Sequence, residues 1–240
     1  MYLYGKNSVY ERLKADPESI KKVFIQDGFN APHIMNLIES RKIPYEIVSE
    51  ERLNRLIHAD RLQGIVAKTS NFKYTPFDNL LKDKPTILFL DSINDPHNLG
   101  SIMRIAACLG NFGIVIPEHG SCKVNETVIH VASGGENFVP VSMVVNLSQA
   151  IREAKDRGYW VAGAVVEGGE EIGNVSLPFP LAIVLGSEGK GLRYGILKHI
   201  DLKVTIPMRG VNLSFNVAMA CAILCYEITR QRENIGGGRV

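Results

Sequence analysis

The chain has 240 residues, 45% hydrophobic and 22% charged, an ordinary globular composition with room for one large or two modest domains, each with its own core. Its formal net charge of +2 falls short of the excess carried by a module that binds nucleic acid by charge alone, so any such contact has to come from local patches. The amino terminus lacks the apolar run of a secretory signal and the other apolar stretches are short and interrupted, which predicts no membrane insertion and a cytoplasmic protein.

In chain order, the pattern predicts a helix near 8–13, a strand at 22–26, a helix near 32–40, a strand at 45–49, a helix near 50–58 and a strand at 64–68. Residues 1–70 therefore form a small α/β unit. Residues 71–84 have weak periodicity and mixed charge, as a linker does. A second domain, 85–240, opens on the apolar strand 86–90 and continues with strands at 113–116, 159–165, 181–185 and 202–206. Helices near 99–109, 147–157 and 214–231 lie between or after them, and such alternation predicts a parallel sheet covered on both faces. In the last helix Val217, Ala220, Cys221, Leu224 and Ile228 make one stripe and Ala218, Ala222 and Cys225 a second, so it is expected to be buried on two sides, one of them open to another subunit. The glycine-rich 236–240 is expected to be disordered. Cys108, Cys122, Cys221 and Cys225 are too scattered for a disulfide framework and make no C-x-x-C pair, and all four are expected to be reduced core thiols.

Three segments gather polar groups where a buried strand ends. After the strand 86–90, Asp91 to Arg104 turns at Asp95-Pro96 and enters a helix with Asn98 near its cap, placing Asn98 and Arg104 on consecutive turns at the sheet edge where open α/β sheets hold ligands. After 181–185, Gly186, Gly189 and Gly191 surround Glu188; the order G-x-x-G-x-G is neither the dinucleotide fingerprint nor a P-loop, but it lets backbone approach a ligand closely. After 202–206, residues Ile206 to Ala218 run through a tight turn at Gly210 into a helix for which Ser214 is a natural N-cap. Each segment alone is also consistent with a capped helix or an ordinary turn.

Taken together and in order, the segments 98–104, 185–191 and 206–216 resemble the three signature motifs of the SpoU (TrmH-type) RNA 2'-O-ribose methyltransferases. At the front, Tyr4-Gly5-Lys6-Asn7-Ser8-Val9-Tyr10-Glu11 and Gln63-Gly64-Ile65-Val66-Ala67 resemble the start and end of that family's substrate-binding domain, so the likeness spans essentially the whole chain. It is strongest to the bacterial members that modify a guanosine of large-subunit ribosomal RNA; members acting on transfer RNA share the catalytic motifs. Departures are Asn7 and Leu62 where the family often has histidine, Phe215 for a leucine, and Gly135 for an alanine.

The resemblance implies a parallel α/β domain whose C-terminal part is threaded into a trefoil knot, preceded by an RNA substrate-binding domain, and a homodimer through the C-terminal domain. It implies S-adenosylmethionine as cofactor, held by Leu185, Gly186, Glu188, Ile206, Met208, Leu213 and Ser214. Arg104 is implied to act on the ribose 2'-hydroxyl, with Asn98, Glu188, Ser214 and Asn216 organising the arginine, the ribose and the neighbouring phosphate. Because a guanidinium is effectively always protonated, Arg104 either takes the proton or steadies the developing alkoxide. Methyl transfer from a sulfonium needs no metal, and none is expected. His97 and His130 are expected to be exposed or structural. RNA contact is expected from Lys6, Arg12, Arg104, Lys190, Arg193 and Arg209, with affinity that falls with salt. Two other classes compete: a non-catalytic RNA-binding protein, which the intact polar set argues against, and a small-molecule enzyme on an ordinary doubly wound fold, which the missing early glycine fingerprint argues against.

Overall fold

A computed structural model describes residues 1–57, 59, 61–187, 189–210 and 213–235, with residue 235 described by its backbone only. Strands β1 (Tyr2–Tyr4), β2 (Ile20–Gln26), β3 (Tyr45–Val48) and β4 (Ile65–Thr69) form one sheet in the order β1-β4-β2-β3. Alternation along β2 sorts its side chains onto two faces. Val23 and Ile25 join Val9, Leu13, Ile34 and Ile38 from helices α1 (Lys6–Ala15) and α2 (Pro32–Ser40). Phe24 joins Tyr4, Val66 and Leu53, the last from helix α3 (Glu50–Leu56), where Ser49 Oγ accepts the Arg52 N–H at 3.3 Å as cap. The two N-terminal segments carrying the family likeness meet here: Tyr4 pairs with Val66 across β1 and β4, and Gln63 Oε1 accepts the Lys6 N–H at 2.8 Å.

The segment expected to be a linker contains a helix, α4 (Phe77–Asp83), with Leu80 and Leu81 buried. Seven residues with two adjacent leucines are too few to show a helical period, and Leu80 earns its place through a distant partner. A Cβ at Gly113 would come within 2.3 Å of Leu80 Cδ1.

The second sheet is wholly parallel. Its strands are β5 (Thr86–Asp91), β6 (Phe112–Pro117), β7 (Val141–Val144), β8 (Trp160–Ala164), β9 (Glu170–Glu171), β10 (Leu181–Gly186) and β11 (Leu202–Thr205), in the order β7-β6-β5-β10-β8-β11-β9. Helices α5 (Pro96–Leu109), α6 (Glu126–Ala132), α7 (Leu147–Asp156), α8 (Tyr194–Leu197) and α9 (Val217–Ile235) complete the chain. As expected, apolar residues cover both sheet faces. Ile87, Phe89, Ala182 and Val184 pack with Ile151 and Ala154 of α7. Leu88, Leu90, Ile183 and Leu185 pack with Ile102 and Met103 of α5 and with Cys221, Leu224 and Ile228 of α9. Strands β1, β7 and β9 and helices α6 and α8 were not expected; they are short, and most are fixed by neighbours far away in sequence.

From β5 the strands run outward to β7, and the chain then crosses to β8 on the far side, so the order reverses between β5 and β10. From β11 it returns past the ends of β8 and β10 to lay α9 on α5. Both stripes expected to be buried on α9 are covered within this chain: Val217, Ala218, Cys221, Leu224, Cys225 and Ile228 make one buried face, with Ala220 and Ala222 half-buried beside it. The face left open carries Met219, Ile223 and Tyr226, which are 62%, 37% and 64% exposed. The sulfurs of Cys221 and Cys225 lie 3.6 Å apart in the core, and their mutual hydrogen bond together with burial raises the Cys221 thiol well above its ordinary pKa. Cys108 is exposed and Cys122 half-buried, so these two are not core thiols. Among the described residues no helix is long and apolar enough to cross a membrane; the tail expected to be disordered lies outside them.

The N-terminal unit sits on α6 and the turn after it. Tyr4 stacks on His130 with ring centroids 4.1 Å apart, Glu126 Oε1 accepts the Tyr2 N–H at 3.2 Å, and Arg12 Nη2 lies 3.3 Å from Glu136 Oε1. His130 is thus structural, and Arg12 is engaged inside the protein rather than offered to RNA. Burial pushes the Glu136 carboxyl above its usual range, with Arg12 opposing. Helices α5 and α6 cross closely because Gly100 has no side chain: a Cβ there would lie 2.6 Å from the Val128 carbonyl oxygen and 2.7 Å from Val131 Cβ. Gly100→Ala is expected to destabilise the fold by about 1–3 kcal/mol through overpacking, read as a lower urea midpoint. An unchanged midpoint would mean the helices are free to separate.

Candidate active site

The C-terminal ends of β5 and β10 are neighbours, with Gly186 in register with Asp91. Asp91 closes an otherwise apolar strand, and its carboxylate is fully buried. Oδ2 accepts the Arg193 backbone N–H at 3.0 Å and Oδ1 accepts Arg193 Nε at 2.6 Å, with Ser92 Oγ 3.2 Å from Oδ1. A buried carboxylate is stable only when paired and hydrogen-bonded. Here that requirement brings the far end of the glycine loop back onto β5. The loop itself is tight: Gly191 N–H donates to the Ser187 carbonyl at 2.9 Å, and Gly189 and Gly191 have φ of +77° and +63°. At Gly186 a Cβ would fall 2.3–2.6 Å from the backbone of Gly191 and Leu192, so only glycine lets the loop close.

The closed loop is one wall of a cavity of about 470 Å³, within the range of small-molecule sites. Leu185 and Gly186 line it from β10, Ile206 and Met208 from the segment after β11, and Ser214 and Phe215 from the approach to α9. Ala164 and Val166 at the end of β8 and Ala220 and Leu224 on α9 complete it. Apolar side walls with backbone-rich loops at the rim suit a flat heterocycle carrying a polar chain, and so fit S-adenosylmethionine. Of the seven residues expected to hold that cofactor, five line the cavity: Leu185, Gly186, Ile206, Met208 and Ser214. Leu213 is exposed and not among the lining residues. Glu188 lies outside the described residues.

The polar set is arranged differently from the expectation. Ser214 is not the cap of the last helix, which begins three residues later; Asn216 caps it, its Oδ1 accepting the Ala218 N–H at 2.8 Å. Its Nδ2 donates to Asn98 Oδ1 at 2.9 Å, joining the first and third segments across 118 residues of sequence. Asn98 lies near the cap of α5, as expected: Asp95 is the cap, its Oδ1 accepting the His97 N–H at 2.8 Å, and Asn98 is buried in the first turn that follows. Arg104 is exposed on α5 and does not line the cavity of its own chain. Six residues along a helix turn the side chain by about 240° and move it about 9 Å, so Asn98 and Arg104 do not share a face. Beside Arg104, Gly135 packs so closely that a Cβ would lie 3.1 Å from the Arg104 Cα.

The pattern missed Asp91, the end of β8 at Ala164 and Val166, and the α9 residues Ala220 and Leu224. For Asp91 there was a signal: one charged residue terminating a fully apolar strand.

Comparison with known proteins agrees with the geometry. Residues 85–226 match the model of the SpoU rRNA Methylase family, and residues 2–75 match that of the RNA 2'-O ribose methyltransferase substrate-binding domain. The YacO protein of Bacillus subtilis (strain 168), placed in the TrmH family of tRNA/rRNA methyltransferases, is 35% identical over 98% of this chain and 97% of its own length. Among solved structures, the SpoU methyltransferase AviRb from Streptomyces viridochromogenes, in complex with AdoMet, superposes with a TM-score of 0.82 at 19% identity over 98% of this chain and 91% of that one. The TrmH/SpoU tRNA modifying enzyme of A. aeolicus gives 0.57 at 28% identity over 67% of this chain and 84% of that one.

Gly186→Ala is expected to open the glycine loop and lower S-adenosylmethionine affinity at least about tenfold by calorimetry, in line with the cost of overpacking against backbone. Undiminished affinity would show that this loop does not form the cofactor wall.

Proposed function

Because the chain belongs to the SpoU (TrmH-type) family of RNA methyltransferases, we propose that it methylates a ribose 2'-hydroxyl, that of a guanosine in large-subunit ribosomal RNA. The observation that carries this reading is the convergence of residues 185–187, 189–191, 206, 208, 214, 215 and 217 on one cavity, with Asn98 and Asn216 joined near the start of α9. S-adenosylmethionine, when bound, supplies an electrophilic methyl group on a sulfonium. The residues then have separable tasks. Leu185, Gly186, Ile206, Met208 and Ser214 hold the cofactor, and the cavity's apolar walls keep water from the methyl group. The Asn98–Asn216 pair fixes the start of α9 against α5, so that Ser214 and the ribose subsite keep a constant distance from the cofactor. Glu188 belongs to the same set by its motif position. With the donor bound, transfer would be a direct displacement in which the 2'-oxygen takes the methyl group from the sulfonium, leaving a neutral thioether, and the hydroxyl proton passes to solvent. A guanidinium stays protonated at neutral pH, so Arg104 acts by stabilising the developing alkoxide and phosphate.

Arg104 reaches that position from a second copy of the chain. The apolar face of Met219, Ile223 and Tyr226 on α9, next to α5, supports a homodimer through this domain, which brings the exposed Arg104 of one copy to the cavity of the other. The return of the chain from β11 past β8 and β10 to α5 supports the knotted threading of the family. Transfer RNA is the second substrate class, favoured by the tRNA-modifying relatives of similar fold.

Mapping ribose methylation in total RNA with and without the gene is expected to show one 2'-O-methylguanosine of large-subunit ribosomal RNA missing in the deletion; a missing transfer-RNA methylation replaces the substrate assignment, and no missing ribose methylation contradicts the activity. Arg104→Ala and Gly186→Ala proteins, each expected to be nearly inactive alone, are expected to regain activity when mixed, because one hybrid site then has both an intact pocket and an arginine. No recovery from dimers shown to have exchanged subunits would place Arg104 in the site of its own chain.

A further inference from the structure

We infer that Arg193, clamped by the buried Asp91, is a phosphate-binding arginine for the RNA substrate, at a groove that shares no lining residue with the cofactor cavity. The inference rests on the reading that the substrate is RNA. The groove has a volume of about 360 Å³ and lies at the ends of β6 and β7, between His119, the first turn of α7 at Asn146 and Ser148, and Arg193 with Gly195. Among the described residues no carboxylate lines it.

The manner in which Arg193 is held is the main evidence. A surface arginine commonly meets a carboxylate with the two outer nitrogens of its fork. Arg193 instead gives Asp91 its Nε and its backbone N–H, at 2.6 and 3.0 Å. Neither Nη has a hydrogen-bond partner among the described residues, although the side chain is 57% exposed and the carboxylate beneath it not at all. The stem is immobilised while four N–H donors and the delocalised charge face outward. Such an arrangement has already met the ordering cost of binding an anion. The amino-terminal end of α7 on the facing wall adds partial positive charge.

Flanking side chains favour a nucleotide over a lone anion. Tyr194 is 76% exposed, and Lys198 Nζ lies 4.7 Å from its ring centroid. An aromatic surface and a second cation beside a guanidinium fork form the combination that stacks a base while holding its phosphate.

Arg193→Gln tests this cleanly. The glutamine amide nitrogen sits as far along the side chain as the arginine Nε, so the variant keeps a donor to Asp91 and loses only the fork and its charge. For a fluorescein-labelled oligouridine, anisotropy is expected to show affinity about tenfold weaker at low salt, the worth of one charged hydrogen-bonding contact. The slope of log affinity against log salt is expected to fall by about 0.7, one single-strand phosphate contact. S-adenosylmethionine affinity by calorimetry is expected to stay within about twofold. An unchanged RNA affinity and salt slope overturns the inference, including the case where inorganic phosphate still protects Arg193 from chemical modification, which would make the groove a small-anion site only. A joint loss of cofactor and RNA binding assigns Arg193 to bracing the loop and equally overturns it. Tyr194→Ala, an exposed position that leaves the clamp intact, is the second variant: about fivefold or more weaker RNA binding with the salt slope and cofactor affinity preserved is expected, and unchanged binding contradicts the site. Wild-type protein that binds cofactor but no RNA would instead refute the underlying reading.

Discussion

The carboxylate of Asp91 has no water to solvate it, and the structure around the site is organised by that fact. A buried unpaired charge is among the most costly features a fold can carry, so the chain has to return to β5 with donors in hand. It does so at Arg193, seven residues after the register partner Gly186. The stretch between is thereby folded back on itself, and glycine at 186 is what lets the two backbones touch. Neighbouring parallel strands set this closure at the point where strand order reverses, the position at which open α/β sheets leave a crevice for ligands.

A second constraint joins the far ends of the chain to the same place. Asn98 and Asn216 bond to each other at 2.9 Å, one buried in α5 and one capping α9. The start of α9 is therefore held at a fixed point, and the cofactor cavity lies between the glycine loop that the Asp91 clamp closes and the residues Ser214, Phe215 and Val217 that flank the asparagine pair. The N-terminal unit is attached on the other flank of α5, through Tyr4 on His130 and Arg12 on Glu136. Gly135 lets the turn bearing Glu136 press directly on the Arg104 turn of α5. The unit that matches the substrate-binding family model is thus joined to the turn that presents Arg104 through the segment at Gly134–Glu136.

Much of this was legible in the residues. Long apolar strands such as 86–90 and 181–185 declared a buried parallel sheet, because a strand covered on both faces has no polar alternation to confuse it. Helix 32–40 announced itself by proline at its first turn. Short elements stayed hidden: α4 and α6 have seven residues each, and what stabilises them is packing against distant partners. At the site, motif order pointed to loops that line the cavity, while local rules misplaced the cap of α9, since Ser214 looks as suitable as Asn216 until the backbone is fixed. On α9 the two buried stripes were legible, because small and apolar residues there pack closely onto α5 and the sheet, while the exposed face of the larger Met219, Ile223 and Tyr226 was not.

The central claim is that the glycine loop after β10 and the residues between β11 and α9 form a single cofactor cavity, the first closed by the Asp91 clamp and the second anchored by the asparagine pair. The most direct measurement is a crystal structure of the protein with S-adenosylhomocysteine. The account predicts the ligand between residues 186–192 and 206–217, with its heterocycle against Leu185 and Ile206. A cavity left vacant while the ligand binds at another surface would contradict it.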